Sequence, residues 1–139
     1  MVRTGRFFVE GEAEGLALVL AEPLSFWGGV NVETGEIIDR SHPDCGKTIA
    51  GRILVMPSGR GSSSSASVLA EAIRLGVAPA AIVLARPDPI LTVGALVARS
   101  LYGAVCPIVV CAIDDIATGD RVNIKARDAK TAEVRINRS

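Results

Sequence analysis

The chain of 139 residues has the size of one ordinary domain, and its 15 Lys+Arg against 15 Asp+Glu leave no net charge. That balance excludes the basic excess of a general nucleic-acid binder and the acidic excess of a disordered tail. Hydrophobic residues reach 49% with only 4% aromatic, so the apolar content is aliphatic, enough for a packed core with apolar surface left for a partner.

Residues 7–9 and 16–20 read as two strands, with Gly11, Gly15 and three glutamates in and around the turn between them. Residues 22–30 form an irregular segment that holds the only tryptophan, Trp27, followed by Gly28 and Gly29. Thr34-Gly35 is a turn, residues 36–39 a short strand, and residues 41–46 a loop by composition. Residues 52–56 read as a buried strand. It runs into Pro57-Ser58-Gly59-Arg60-Gly61-Ser62-Ser63-Ser64-Ser65, after which Val68, Leu69, Ala72, Ile73 and Leu75 recur at helical spacing up to a stop at Gly76. Residues 81–84 are a second buried strand, Arg86-Pro87-Asp88-Pro89 a rigid turn, and about residues 90–101 a second helix ending near Gly103. Residues 107–113 give a third buried strand, and residues 121–125 and 133–137 alternate as an antiparallel hairpin around Asp128-Ala129-Lys130. Strand–helix–strand units in the middle predict parallel pairing and the two ends antiparallel pairing. The expectation is one mixed α/β domain over residues 1–139, with two main helices among about seven strands.

No segment approaches the roughly 18 uninterrupted apolar residues of a membrane span. No apolar signal region follows the N-terminus, and three cysteines, Cys45, Cys106 and Cys111, are an odd number that suits no disulfide framework. A reducing, cytoplasmic location without a membrane or nucleic-acid partner is the expectation.

The strongest chemical signal is the glycine–serine run ahead of a helix. A helix start leaves backbone N–H groups without intrahelical partners, and the macrodipole adds positive potential there. Glycines let a ligand approach the backbone and hydroxyls add donors, so the run suits a carboxylate, a phosphate or an oxyanion. The same donors favour an ionised serine, which then acts as a base. The plainer alternative is that one serine caps the helix and the rest are a polar connector. The run is neither a Walker A loop nor a Gly-x-Ser-x-Gly elbow.

His42-Pro43-Asp44-Cys45 with Cys106 and Cys111 offers four metal ligands on paper. Five residues apart on a strand, Cys106 and Cys111 point to opposite faces, so small buried cysteines are the better reading and no metal site is expected in this chain. His42 reads either as an active-site loop residue or as a capped loop histidine. Trp27 lines a pocket or interface, or sits at the core edge. Asp88 holds its turn or contributes to a site, and Asp114 and Asp115 are solvated or capping.

In order, residues 23–30, Glu33-Thr34-Gly35, His42-Pro43, Gly46, Ile49-Ala50-Gly51, Pro57 to Ser63, and Asp88-Pro89-Ile90 resemble the small subunit, or swivel domain, of the aconitase X family, across residues 10–110. The resemblance implies a β/β/α swivel domain docked on a larger, aconitase-like catalytic subunit that carries the iron or iron–sulfur centre, with the active site at the interface. It implies dehydration of a small hydroxy acid. The bacterial branch converts cis-3-hydroxy-L-proline to Δ1-pyrroline-2-carboxylate, and the archaeal branch dehydrates mevalonate 5-phosphate; the long serine run looks more like the bacterial branch. By the family's Gly-Ser-Ser-Arg motif, Ser62 takes the place of the catalytic base. Gly61, Ser63 and Ser64 take substrate-binding places, with Arg60 and His42 as further substrate contacts. Ser64 stands where aconitase itself has arginine, which suits a substrate other than a tricarboxylate. A stand-alone anion-binding or regulatory module is the rival from a different class.

Overall fold

In a computed structural model describing residues 1–138, seven strands close into a barrel. In chain order they are β1 (Val2–Val9), β2 (Ala13–Val19), β3 (Ile53–Met56), β4 (Ala81–Leu84), β5 (Ile108–Val110), β6 (Arg121–Ala126) and β7 (Thr131–Asn137). Around the barrel the order is β1-β5-β4-β3-β2-β6-β7. β2, β3, β4 and β5 are parallel neighbours, while β1, β6 and β7 pair antiparallel and complete the ring. A short turn of helix, α1 (Phe26–Gly29), precedes β3; α2 (Ser64–Arg74) joins β3 to β4 and α3 (Pro89–Tyr102) joins β4 to β5.

The mixed α/β class and the two main helices are as the patterning predicts, and three details differ. β1 and β2, adjacent in sequence, do not pair with each other: β1 lies between β5 and β7, and β2 between β3 and β6. Residues 36–39 form no strand, only isolated bridges of Ile37 to Val30 and Glu36 to Thr48. The third buried strand shrinks to Ile108–Val110.

The continuous apolar runs of β3 and β4 have a direct cause, since both faces of these strands are covered. Ile53, Val55, Ala81 and Val83 point into the barrel with Val109, Val122, Ile124, Val134 and Ile136. Leu54, Met56, Ile82 and Leu84 point outward onto the helices and onto Leu24, Phe26 and Ile49. Cys106 belongs to the outer cluster and Cys111 to the barrel interior.

Both helices end on sequence-coded stops. Past α2, the N–H of Val77 donates to Ala72 at 3.0 Å and that of Gly76 to Ile73 at 3.1 Å, a Schellman closure made by Gly76 at φ 76°. α3 opens on Asp88, whose Oδ1 accepts the N–H groups of Ile90 and Leu91 at 3.0 Å each, and ends at Gly103 in the left-handed region. The two helices pack in contact where Gly94 meets Ala66; a Cβ on Gly94 would lie 2.6 Å from the Ala66 carbonyl oxygen.

Candidate functional site

Parallel strands deliver their connecting loops to one end of the sheet, and ligands of such sheets bind beyond the strands' carboxyl ends. Here that end gathers residues 20–27 after β2, residues 57–63 after β3 and residues 85–88 after β4. They are stitched together. Leu24 bridges to Gly59, and the Arg60 N–H donates to the Leu24 carbonyl at 3.2 Å. The Pro57 carbonyl accepts the N–H groups of both Ala85 and Arg86 at 3.1 Å, and the Arg86 guanidinium donates to Ser58 Oγ at 3.1 Å. Gly59 has no room for a side chain, because a Cβ there would run into the Asp88 carboxylate. Asp88 is thereby accounted for as the cap of α3 and the backstop of Gly59.

The four serines divide their work. Ser62 Oγ accepts the Ser64 N–H at 3.2 Å, and its carbonyl accepts the Ser65 N–H at 2.9 Å. Ser62 thus performs the capping at the start of α2, although the formal cap position, Ser63, makes no side-chain bond. The capping bond also bears on reactivity. An amide N–H directed at Oγ, with the helix dipole behind it, favours the ionised oxygen over the neutral hydroxyl. Ser63 and Ser64 are exposed, and Gly61 faces open space with nothing within 4 Å of a hypothetical Cβ. Among the described residues, none accepts the backbone N–H groups of Gly61, Ser62 or Ser63. The loop therefore holds consecutive amides without an acceptor among the described residues beside two exposed serines, an arrangement that suits a carboxylate or an oxyanion.

Ser65 is the residue that sequence reasoning missed. It is buried, and its Oγ accepts the Trp27 N–H at 3.2 Å. Its signal was its place on the face of Leu69, Ala72 and Ile73, four residues before Leu69. Arg60 is exposed and forms no ion pair among the described residues; its charge acts on Asp39, whose carboxyl lies below its ordinary range chiefly through hydrogen bonds from Ser41, with smaller help from His42 and Arg60.

His42 has both ring nitrogens engaged by the backbone. It is buried, its Nδ1 accepts the Asp44 N–H at 3.0 Å, and its Nε2 lies 3.2 Å from the Glu22 carbonyl. Acceptance at Nδ1 assigns the proton to Nε2, which donates to Glu22. Both ring nitrogens are engaged within the chain, so His42 ties the loop of residues 39–47 to the segment after β2.

The enclosed notch between Leu24, Gly59, Gly61, Ser65, Asp88 and Ile90 measures only about 10 Å³, room for one water. An organic ligand does not fit inside this notch. The residue disposition does not suit an iron–sulfur centre either. Cys45 is exposed on one loop, burial pushes the Cys106 thiol up to about 12, burial also raises Cys111, and no three His, Cys, Asp or Glu converge among the described residues. No described helix is long and apolar enough to cross a membrane.

The family described as the aconitase X swivel domain matches residues 2–134. The chain is 50% identical over 103 residues to the cis-3-hydroxy-L-proline dehydratase of Pseudomonas aeruginosa, covering 74% of this chain and 18% of that protein. It is 41% identical over 133 residues to the phosphomevalonate dehydratase small subunit of Pyrococcus abyssi, covering 95% of this chain and 92% of that one. A crystal structure of holo aconitase X from Thermococcus kodakaraensis superposes with a TM-score of 0.86 at 34% identity over 98% of both chains. Against the cis-3-hydroxy-L-proline dehydratases of Pseudomonas aeruginosa and Hypocrea jecorina, this chain spans 18% and 19% of their length.

Proposed function

The chain belongs to the aconitase X swivel-domain family, and from that premise we propose that it is the swivel part of a hydro-lyase that dehydrates cis-3-hydroxy-L-proline to Δ1-pyrroline-2-carboxylate, completed by a larger aconitase-like catalytic subunit. The single observation that carries the reading is the Gly59–Ser64 loop, with Ser62 Oγ held by an amide at a helix start and free amides beside it. In the proposed reaction Ser62 takes the proton from the α-carbon. The electron pair of that C–H bond becomes the new C=C bond, and the C–O bond at the adjacent carbon breaks. The departing hydroxide takes up one proton and leaves as water, Ser62 gives up the proton it abstracted so that the balance closes, and the enamine product tautomerises to the imine. Free N–H groups at Gly61, Ser62 and Ser63, with the Ser63 and Ser64 hydroxyls, receive the substrate carboxylate and the negative charge that builds on it. Arg60, which forms no ion pair among the described residues, adds a cation for that carboxylate. His42 contributes by holding the neighbouring loop rather than by touching substrate.

The family implies an iron or iron–sulfur centre; Cys45, Cys106 and Cys111 do not converge, and in this reading the centre belongs to the catalytic subunit.

Mevalonate 5-phosphate is the alternative substrate, favoured by the near full-length match to a phosphomevalonate dehydratase small subunit. Co-expression with the source organism's large aconitase-X-type chain, followed by dehydration assays on both compounds, decides between them. The isolated chain is expected to fold and to be inactive, and dehydratase activity from this chain alone would overturn the proposal.

A further inference from the structure

A surface helix of a globular domain normally turns polar side chains outward. α3 does not. Leu91, Ala95 and Ala98 are buried, while the other side of the same helix exposes Val93, Val97 and Leu101. The N-terminal end of that outer ridge runs into the serine loop, because Ile90 and Val93 share an open apolar groove of about 250 Å³ with Ser63, Ala66 and Pro89. On the other flank of the loop stands Trp27, with 56% of its surface in solvent. Its backbone is pinned on both sides: the N–H donates to buried Ser65 at 3.2 Å, and the carbonyl accepts Ser25 Oγ at 3.0 Å. The chain also leaves helical geometry here, with Trp27 at ψ 114° and Gly28 at φ 76°. A large aromatic, pre-ordered on a fixed backbone and unburied, has the character of an interface anchor.

We infer that Trp27 and the ridge of Ile90, Val93 and Val97 are the two contacts through which the remainder of the enzyme seals the serine loop from solvent; this rests on the function proposed above. Two observations identify the occupant. Between the flanks the chain itself encloses space for only one water, so whatever completes the substrate site has to descend on the loop and meet both flanks. Most of the length of the Pseudomonas aeruginosa relative lies outside the matched stretch, which supplies a body of the required size. The partner surface presents an apolar recess for the indole, an apolar strip for the ridge and the rest of the polar site between them. An apolar rim around a polar centre is how interfaces exclude water from the contacts that matter.

The test labels this chain with fluorotryptophan, which reports on Trp27 alone, and titrates it with the unlabelled large aconitase-X-type chain of the same source. As the complex saturates, the fluorine resonance shifts and loses its response to exchange of H2O for D2O. Trp27→Ala and Val93→Asp each weaken assembly by about thirtyfold, the size of a hot-spot loss. Both residues are exposed, so their melting temperatures match the parent's. Leu16→Ala, a residue 43% exposed at the N-terminal end of the parallel strands, assembles normally. A resonance unchanged in the saturated complex overturns the inference, as does one that shifts with the concentration of this chain alone, which makes a second copy the occupant. Dehydratase activity is read in the same samples. An active complex with Trp27 still in solvent refutes the interface and leaves the function. A complex that buries Trp27 yet dehydrates neither hydroxy acid refutes the function and leaves the interface. No association at all overturns both.

Discussion

Replacing Ser62 separates a cap from a base. Ser62 Oγ makes one amide hydrogen bond of 3.2 Å on an exposed turn. Losing a serine cap costs about 0.5–2 kcal/mol, and a single long, exposed bond belongs near the lower end. For a domain of this size about 1 kcal/mol lowers the melting temperature by roughly 3–5 °C. A domain stable by about 5 kcal/mol is left with about 4, and on the order of one molecule in a thousand unfolded, so turnover at 25 °C does not change through folding. Removing a general base costs about 10²–10⁴ in rate. In the assembled enzyme, Ser62→Ala is therefore expected to melt a few degrees lower and to lose activity by a factor that stability cannot supply. Ser62→Asn restores the cap, since asparagine caps as well as serine, but carries no hydroxyl; its melting temperature returns and its activity does not. Ser62→Thr keeps the hydroxyl and the cap and retains a measurable part of the activity. The assays are a thermal melt of each chain and steady-state dehydration by each complex. Wild-type turnover from Ser62→Ala, or recovery of turnover in Ser62→Asn, would show that Ser62 only caps α2.

Other consequences are testable on the isolated chain. Asp88→Ala removes two capping bonds and the backstop of Gly59, and is expected to cost about 1–2 kcal/mol in urea unfolding, with Asp88→Asn recovering most of it. Gly94→Ala places a methyl against the Ala66 backbone, which yields only if α2 and α3 separate; a loss of about 1–3 kcal/mol is expected, and an unchanged melt would contradict the close packing. A thiol reagent is expected to modify Cys45 alone in the native protein and all three cysteines in denaturant. Burial raises the folded Cys106 thiol from 9.0 to about 12, so the unfolded chain releases this proton first. Its contribution to stability is complete below pH 9 and declines as the pH rises towards 12, a decline that Cys106→Ala removes in alkaline unfolding curves.

The elements most legible in the sequence were those whose signals are local. β3 and β4 stood out because strands covered on both faces must be apolar at every position, and Ile53–Met56 and Ala81–Leu84 are. The helices announced their stops: Gly76 and Gly103 end α2 and α3 by taking positive φ, which costs glycine nothing, whereas Asp88-Pro89, read as part of a turn, is also the opening of α3. The serine loop was legible for the same reason, since Gly-Ser runs before an apolar helical stripe mark a helix start wherever they occur. Residues 36–39 misled because a β-branched pair, Ile37-Ile38, between a turn and a loop also suits a segment that touches two others only through single bridges. Cys106 and Cys111 fall on opposite sides, one in the outer cluster and one in the barrel interior, as parity along an extended segment predicts.

By itself, then, the sequence determined the element types, their stops, the mixed pairing and the location of a helix start rich in free donors. Elements, stops and the helix start depend on interactions within a few residues, and the mixed pairing follows from the order in which strands and helices alternate. Tertiary structure alone decided that β1 and β2 part company to close a barrel, because register between strands distant in sequence depends on how two cores fill, not on any local pattern. It decided that Ser65 turns inward to hold Trp27 while Ser62 remains on the cap, and that both nitrogens of His42 are spent on the backbone. It also showed the serine loop lying open between two apolar flanks with space beneath it for a single water, a fact about what surrounds the loop that its own residues do not encode.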